Sequence, residues 1–452
     1  MSRPRKQIRL AAHFPGVNNT TVWTDPASGS QIDFSSFTHL ARTAERGRFD
    51  FFFLAEGLRL CEHRGRIHDL DVVGRPDTLA VLAALAAVTR RLGLAGTLSA
   101  TFNEPHELAR QLATLDHLSG GRAAWNVVTS SDAFTGENFR RGGYLAHADR
   151  YERAASFLQA ARKLWDGWEP DALPGDREAG VFARESGIGR VVHEDRFFRI
   201  AARPTAPRSP QGHPVVIQAG DSAQGREFAA SAAEVVFSRH GGLEAGRAFY
   251  ADVKARLAAY GRAPGELLIM PAATAVVGDT PREAEEKARE IRRKQVSGRT
   301  ALLVLEQVWG RDLSGLDPDG PLPADDPDPE GGSISQGRVR RTDDPVGLAR
   351  TWRALAEEKG LSIRELVIET TSRQTFVGTP EQVAAAIDEH VQTDACDGFV
   401  LVPHLTPGGL DEFVDRVVPV LQERGAFRTD YTGTTLRENL GLPARTPAPL
   451  PG

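Results

Sequence analysis

Gly121-Arg-Ala-Ala-Trp-Asn-Val-Val-Thr-Ser130 joins a helix stop, a buried strand and a polar strand end in ten residues. Upstream, Leu108, Leu112, Leu115 and Leu118 recur at helical spacing, and Gly120-Gly121 supply the positive-φ positions on which helices end. Downstream, Asn126, Thr129 and Ser130 break the apolar run. A strand fed by a helix and ending in amides and hydroxyls is the repeating unit of a parallel α/β barrel. In such a barrel the carboxyl ends of the strands face the site, so polar groups clustered there point to ligand contact rather than stability.

Working outward, short β-branched or aromatic runs alternate with longer helical patterns. Strands are predicted at Ile8–Ala12, Phe51–Ala55, Leu92–Thr97, Ala123–Val128, Pro214–Gln218, Glu234–Phe237, Leu267–Val276 and Gly398–Val402. Helices fit between them at Phe37–Gly47, Asp77–Arg90, Pro105–Leu118, Arg150–Trp165, Ala223–Ala233, Leu243–Tyr260 and Pro281–Arg299, with Leu410–Arg424 last. This is the pattern of an α/β fold of the (β/α)8 TIM barrel type, a single domain over residues 1–452 with insertions after strands 4 and 7 and a C-terminal extension.

The insertions fall at about 167–213 and 300–360, and the extension at 426–452. Gly167–His213 is rich in Pro, Gly and charge, yet Arg196-Phe-Phe-Arg-Ile200 is strand-like, which predicts a small hairpin. Asp312–Arg341 is dense in Asp, Pro and Gly, too poor in apolar residues to bury much surface, and is expected to be mobile. It is either a lid or a linker, and it leads into a helix at Pro345–Lys359. Ala426–Gly452 leaves the barrel, either to wrap a neighbouring subunit or to fray.

Composition narrows the function. Against 60 Asp and Glu there are 55 Lys and Arg, a formal charge of −5, and no basic cluster dense enough for a nucleic-acid face. Arg338-Val-Arg-Arg341 reads as a solvated surface run. With no long apolar segment and no signal-peptide core after Met1-Ser-Arg-Pro-Arg-Lys6, no membrane association and a cytoplasmic location are expected. Cys61 and Cys396 have no CxxC spacing, and His63 and His68 lack ligand partners, so no metal site is expected. Walker A, G-x-G-x-x-G and G-x-S-x-G motifs are absent.

Two more pieces make a constellation. In His147-Ala-Asp-Arg-Tyr151-Glu152, Asp149 followed by Glu152 fits a capping box that would place His147 and Tyr151 beside a helix N-terminus. Pro214-Val-Val-Ile-Gln-Ala-Gly220-Asp-Ser222-Ala-Gln-Gly225 reads as strand, tight glycine turn and helix start, a ready site for a phosphate. Asp221 would repel that phosphate, so it is expected to turn away or pair with Arg226.

With Phe51-Phe-Phe-Leu-Ala-Glu56, Thr97-Leu-Ser99, Ala113-Thr-Leu-Asp-His-Leu-Ser-Gly-Gly-Arg122 and the tail Val417–Tyr431, these pieces resemble, in order and from about Ile8 to about Leu442, the bacterial-luciferase-like flavin monooxygenases. The closest branch is that of the nitrilotriacetate, dibenzothiophene-sulfone and long-chain alkane monooxygenases. The resemblance implies a two-component enzyme. FMN, reduced by a separate NAD(P)H:FMN reductase and delivered by diffusion, would bind the barrel and use dioxygen to oxygenate a small organic substrate. A homodimer or homotetramer is implied too.

Residue by residue, the resemblance places Thr97 and Glu56 near the flavin ring, and His147 and Tyr151 near its phosphate. Relatives usually carry aspartate at the position of Glu56, and on the residues alone its carboxylate either faces the pocket or pairs with Arg59 or Arg64. Thr97 and Ser99 could instead cap strand ends. Asn126 suits a flavin edge or holds the barrel floor, and Ser130 lies at the same polar strand end. Ser222 is the foremost phosphate candidate and also a preferred N-cap. No catalytic residue is assigned. His13 is a candidate for substrate contact, and a cysteine used nearby by an alkane-oxidising relative has no counterpart in His13-Phe-Pro-Gly16. Two other readings stay open: a deazaflavin-dependent oxidoreductase of the same superfamily, or a flavin-independent barrel hydrolase or lyase using Glu56 and His147 as acid and base.

Overall fold

The computed structural model describes residues 5–16, 21–67, 72–130, 133–139, 147–240, 242–328, 335–336, 344–371, 375–448 and 450. Eight parallel strands close into a barrel: β1 (Arg9–Phe14), β2 (Phe51–Leu54), β3 (Gly93–Ser99), β4 (Ala123–Val128), β5 (Val215–Gln218), β6 (Val235–Ser238), β7 (Leu268–Val277) and β8 (Gly398–Leu401). Each pairs with the next, and β8 returns to β1 with Arg9 opposite Gly398. All eight lie within two residues of the boundaries read from the sequence.

Helices α1 (Phe34–Arg46), α2 (Thr78–Ala86), α3 (Pro105–Ser119), α4 (His147–Trp165), α5 (Ala223–Ala232), α6 (Leu243–Arg256) and α7 (Pro281–Gln295) surround the barrel. Gly120 ends α3 at φ 68° and Gly121 follows at φ 87°, the left-handed conformations that turn the chain into β4. Helix α2 stops at Ala86, four residues before the predicted end at Arg90, and Asp77 caps it by accepting from the Ala80 amide at 2.8 Å.

Alternation along the strands fills the barrel with Ala11, Phe51, Phe53, Ala95, Ala124, Ile217, Val235, Met270 and Val400. The alternate residues Leu94, Trp125 and Val216 instead pack outward in the two larger helix-facing cores. The first insertion forms the hairpin Val191–Glu194 and Arg199–Ala202. Arg196 to Phe198, read as strand, are its turn, closed by the Asp195 carboxylate on the amides of Phe197 and Phe198.

Between β7 and β8 the chain adds α8 (Gly298–Trp309), α9 (Pro345–Lys359), α10 (Ile363–Thr371) and α11 (Pro380–Gln392). The first three share a core of their own, built on Leu305, Trp309, Trp352 and Leu366. Helix α9 has the predicted bounds, whereas the predicted helix to Arg299 breaks at Val296 so that Ser297 can cap α8 by accepting from Thr300 at 3.0 Å.

Residues 312–328 bury more than their composition suggested: Leu313 is buried and Leu322 packs against the core shared by α8, α9 and α10. Gly320 and Pro318 accept from the Ile363 and Arg364 amides, and the Asp325 carbonyl accepts from the Trp309 indole at 3.0 Å, so backbone hydrogen bonds add to that burial. The rest of the Asp312–Arg341 stretch lies outside the described residues apart from Ser335–Gln336, which pair with Glu62–His63.

The C-terminal segment also departs from expectation. Rather than fraying, it turns under the amino ends of the strands, where Leu436, Leu440 and Leu442 join the barrel's inner core. Arg437 and Arg445 meet there on the buried Glu234 carboxylate.

Candidate active site

At the carboxyl end of the barrel, β3 and β4 set Thr97 directly opposite Asn126, both on the inward-facing register. The Asn126 amide donates to Thr97 Oγ1 at 2.9 Å, while its carbonyl oxygen is buried with no partner among the described residues. A buried acceptor left unmade costs about 1–3 kcal/mol, so the fold keeps this one for something else.

One step higher, Ser99 Oγ meets Ser130 Oγ at 2.7 Å and the Ser130 amide donates to Thr101 Oγ1 at 3.1 Å. The Ser99 amide donates to Glu56 at 2.9 Å. This network ties the ends of β2, β3 and β4 together.

Glu56 is half-buried and no cation pairs with it among the described residues; Arg64 binds Asp312 instead. Burial pushes its carboxyl up to about 8, helped by the Asp77 carboxylate and opposed by the Ser99 amide. Below these groups His13, Phe53 and Phe237 form an aromatic floor, with ring centroids 5.4 Å and 5.3 Å apart in turn.

The neighbouring strand supplies the second half of the site. β5 runs through Gly220 into α5, whose first residues are exposed, and Ser222 caps the helix by accepting from the Gly225 amide at 3.1 Å. The amides of Ala223 and Gln224 at that helix start have no intrahelical partner. Gly225 is required here: a Cβ on it would stand 3.0 Å from the Gly220 backbone. Tyr151 reaches over from α4 to put its hydroxyl 3.4 Å from Ser222 Oγ. Thus Tyr151 and Ser222, far apart in sequence, converge on one helix N-terminus. His147 opens α4 one turn before Tyr151, and its side chain lies outside the described residues.

One local expectation is corrected, and another is met in one of its two forms. Asp149 does not cap α4, because the helix already begins at His147; Asp149 and Glu152 instead grip Arg196 of the hairpin, the former at 2.7 Å. Asp221 does turn from the helix start, but onto the Arg239 amide, leaving Arg226 to pair with Asp252 at 2.8 Å.

The structure adds three groups that sequence reading missed. Gln218 Oε1, Ser238 Oγ and His404 Nδ1, at or just beyond the ends of β5, β6 and β8, are buried without a partner among the described residues. Burial holds the His404 imidazole down at about 4, hence neutral. The available signal was position alone: Gln218 and Ser238 are the polar residues on which their apolar strands end, and His404 follows shortly after β8.

The arrangement offers unmade acceptors and hydroxyls above an aromatic floor, and beside them a helix N-terminus with two converging hydroxyls. It fits a planar, hydrogen-bonding ring carrying a phosphate arm.

The luciferase-like monooxygenase family model matches residues 17–426. N-acetyl-S-(2-succino)cysteine monooxygenase of Bacillus subtilis is 39% identical over 448 residues, covering 98% of each chain. Nitrilotriacetate monooxygenase component A of Aminobacter aminovorans is 39% identical over 91% of this chain and 90% of its own. Among solved structures, a riboflavin lyase with modified FMN and riboflavin superposes with a TM-score of 0.79 at 31% identity, over 97% of both chains.

Proposed function

This chain belongs to the luciferase-like monooxygenase family, and we propose that it is the oxygenase half of a two-component system that takes up reduced FMN from a separate reductase. The observation that carries this reading is the convergence of Tyr151 and Ser222 on the start of α5, beside the unmade acceptor of Asn126. Ser222, Tyr151, His147 and the amides of Ala223 and Gln224 hold the phosphate. Thr97, Asn126, Ser130 and Glu56 meet the ring.

When bound, reduced FMN supplies the activation of dioxygen. The chain's own residues position it: the His13, Phe53 and Phe237 floor excludes water from below, and the Glu56, Ser99 and Ser130 network fixes the rim. No nicotinamide fingerprint is present, so the two electrons for each oxygenation arrive on flavin reduced elsewhere. In this reading the enzyme works as a homo-oligomer on a small organic substrate.

Anaerobic titration with reduced FMN and reduced riboflavin tests the assignment. FMN should bind at least about tenfold tighter, since donors to a charged group contribute about 1.5–3 kcal/mol. Ser222→Ala and Tyr151→Phe should each erase most of that preference without adding, as members of one network. Equal affinity for the two flavins, or tight FMN binding by the double variant, would contradict it.

A further inference from the structure

The groups assigned to the flavin come from the ends of β2 to β5 and the starts of α4 and α5, which leaves the β6 side of the mouth without a ligand. Its inner wall is apolar. Val235 belongs to the inner core and Phe237 packs against it, with the Phe237 ring centroid 5.3 Å from that of Phe53. Side chains alternate along a strand, so Arg239, two residues beyond Phe237, continues this inward register at the rim. There it is exposed, beside the equally exposed Ala219 and Asp221 of the neighbouring strand end.

Arg239 keeps its charge to itself. The Asp221 carboxylate accepts the Arg239 backbone amide, and the guanidinium makes no ion pair among the described residues. Neighbouring basic side chains are spent: Arg226 binds Asp252 at 2.8 Å, Arg75 donates to the Pro15 carbonyl at 3.1 Å, and Lys287 binds Glu412. His240, next in the chain, lies against the Phe249 ring with centroids 5.2 Å apart, and burial keeps it neutral. An open guanidinium above an aromatic wall presents a planar fork that matches a carboxylate.

We propose that Arg239 sets substrate specificity, and that the substrate is an organic acid whose carboxylate docks on the Arg239 guanidinium while the rest of the molecule lies over Phe237. The inference rests on the flavin reading above and adds a substrate class to it. The flavin phosphate is the other anion expected at this end of the barrel. It has the start of α5 with Ser222 and Tyr151, whereas Arg239 rises from the inward register beside the aromatic floor.

Anaerobic equilibrium dialysis, with and without reduced FMN, tests this with phenylacetate, octanoate, benzylthiosuccinate and N-benzyliminodiacetate, each against its methyl ester. At least one acid should bind the wild type about tenfold or more tighter than its ester, the scale of a hydrogen bond to a charged group. Arg239→Leu should erase that preference, and Arg239→Lys, which keeps the charge without the fork, should retain part of it. Because Arg239 is exposed, Arg239→Leu should unfold at the wild-type urea concentration and keep the preference for reduced FMN over reduced riboflavin. No preference for any acid in the wild type, or a preference that survives Arg239→Leu, would overturn the proposal. Loss of the FMN-over-riboflavin preference in Arg239→Leu would overturn it too, by giving the guanidinium to the flavin phosphate. A wild type that prefers the acid yet binds no reduced flavin would instead overturn the flavin reading and leave Arg239 an acid-binding residue.

Discussion

Residues at the mouth of this barrel are chosen against stability. Asn126 leaves a buried acceptor unmade, and replacing both partners of such a pair by apolar groups removes the cost. The double variant Asn126→Leu, Thr97→Val should therefore unfold at higher denaturant, by about 1–2 kcal/mol, while losing flavin affinity. A destabilised variant that kept its affinity would count against a binding role for the pair. Glu56 gives a second case with a definite sign. Its carboxyl rises from 4.5 to about 8 on folding, so the folded state holds the extra proton and stability declines as pH climbs through that window. Relative to wild type, Glu56→Gln should gain on the order of 1–3 kcal/mol above about pH 8 and nothing below about pH 4, measured by urea unfolding across pH. Equal stabilities at both extremes would refute the assigned shift. Thr97, Asn126 and Ser222 were legible in the sequence because each interrupts an apolar run at a strand end or opens a helix. Gln218 and Ser238 were not, since their significance lies in what they fail to bond.

At the scale of elements, the strands were legible because every barrel strand carries a short, mainly apolar run set between helical patterns. Helices α8, α10 and α11 were missed although their caps are written plainly, Ser297 for α8 and the Thr379 and Gln382 box for α11, because a proline- and glycine-dense stretch beside them masked the pattern. The helix of greatest functional interest is α4, which carries Tyr151. Its first turns are gripped by the hairpin through Arg196 on Asp149 and Glu152, and through Phe198, on which the Arg153 guanidinium lies 4.3 Å from the ring centre. Arg196→Ala touches no ligand, yet should weaken FMN binding about three- to tenfold with riboflavin affinity unchanged, because the loss falls on the phosphate arm. Loss of affinity for both flavins alike would mean general unfolding of the helix rather than misplacement of Tyr151. The turn from β5 to α5 admits less change: Gly225→Ala must push the Gly220 backbone aside and should cost both stability and FMN affinity.

For the whole molecule, the barrel is sealed at one end so that the other can remain open. The C-terminal leucines fill the floor, and Glu234 is the pin. Burial alone would raise its carboxyl, but Arg437 and Arg445 hold it down at about 2. Its contribution is thus present above about pH 4.5 and lost as pH falls toward 2. Arg437→Ala strands that charge inside the protein and should cost about 3–5 kcal/mol at neutral pH, with a smaller penalty in acid. Composition could not foretell this floor, because the polar and proline-rich stretches around Leu436, Leu440 and Leu442 disguise three residues that bury completely only under a closed barrel. Among the described residues no helix is long and apolar enough to cross a membrane. The central claim is that this barrel oxygenates a small molecule with flavin reduced elsewhere. The most direct test supplies the purified chain with FMN, NADH, oxygen-18 and a panel of sulfones, aminopolycarboxylates, S-succinylated thiols and alkanes, with and without an unrelated NADH:FMN reductase. Labelled product should appear only when the reductase is present. Rapid NADH oxidation by the chain alone, or labelled product formed without added reductase, would contradict the account.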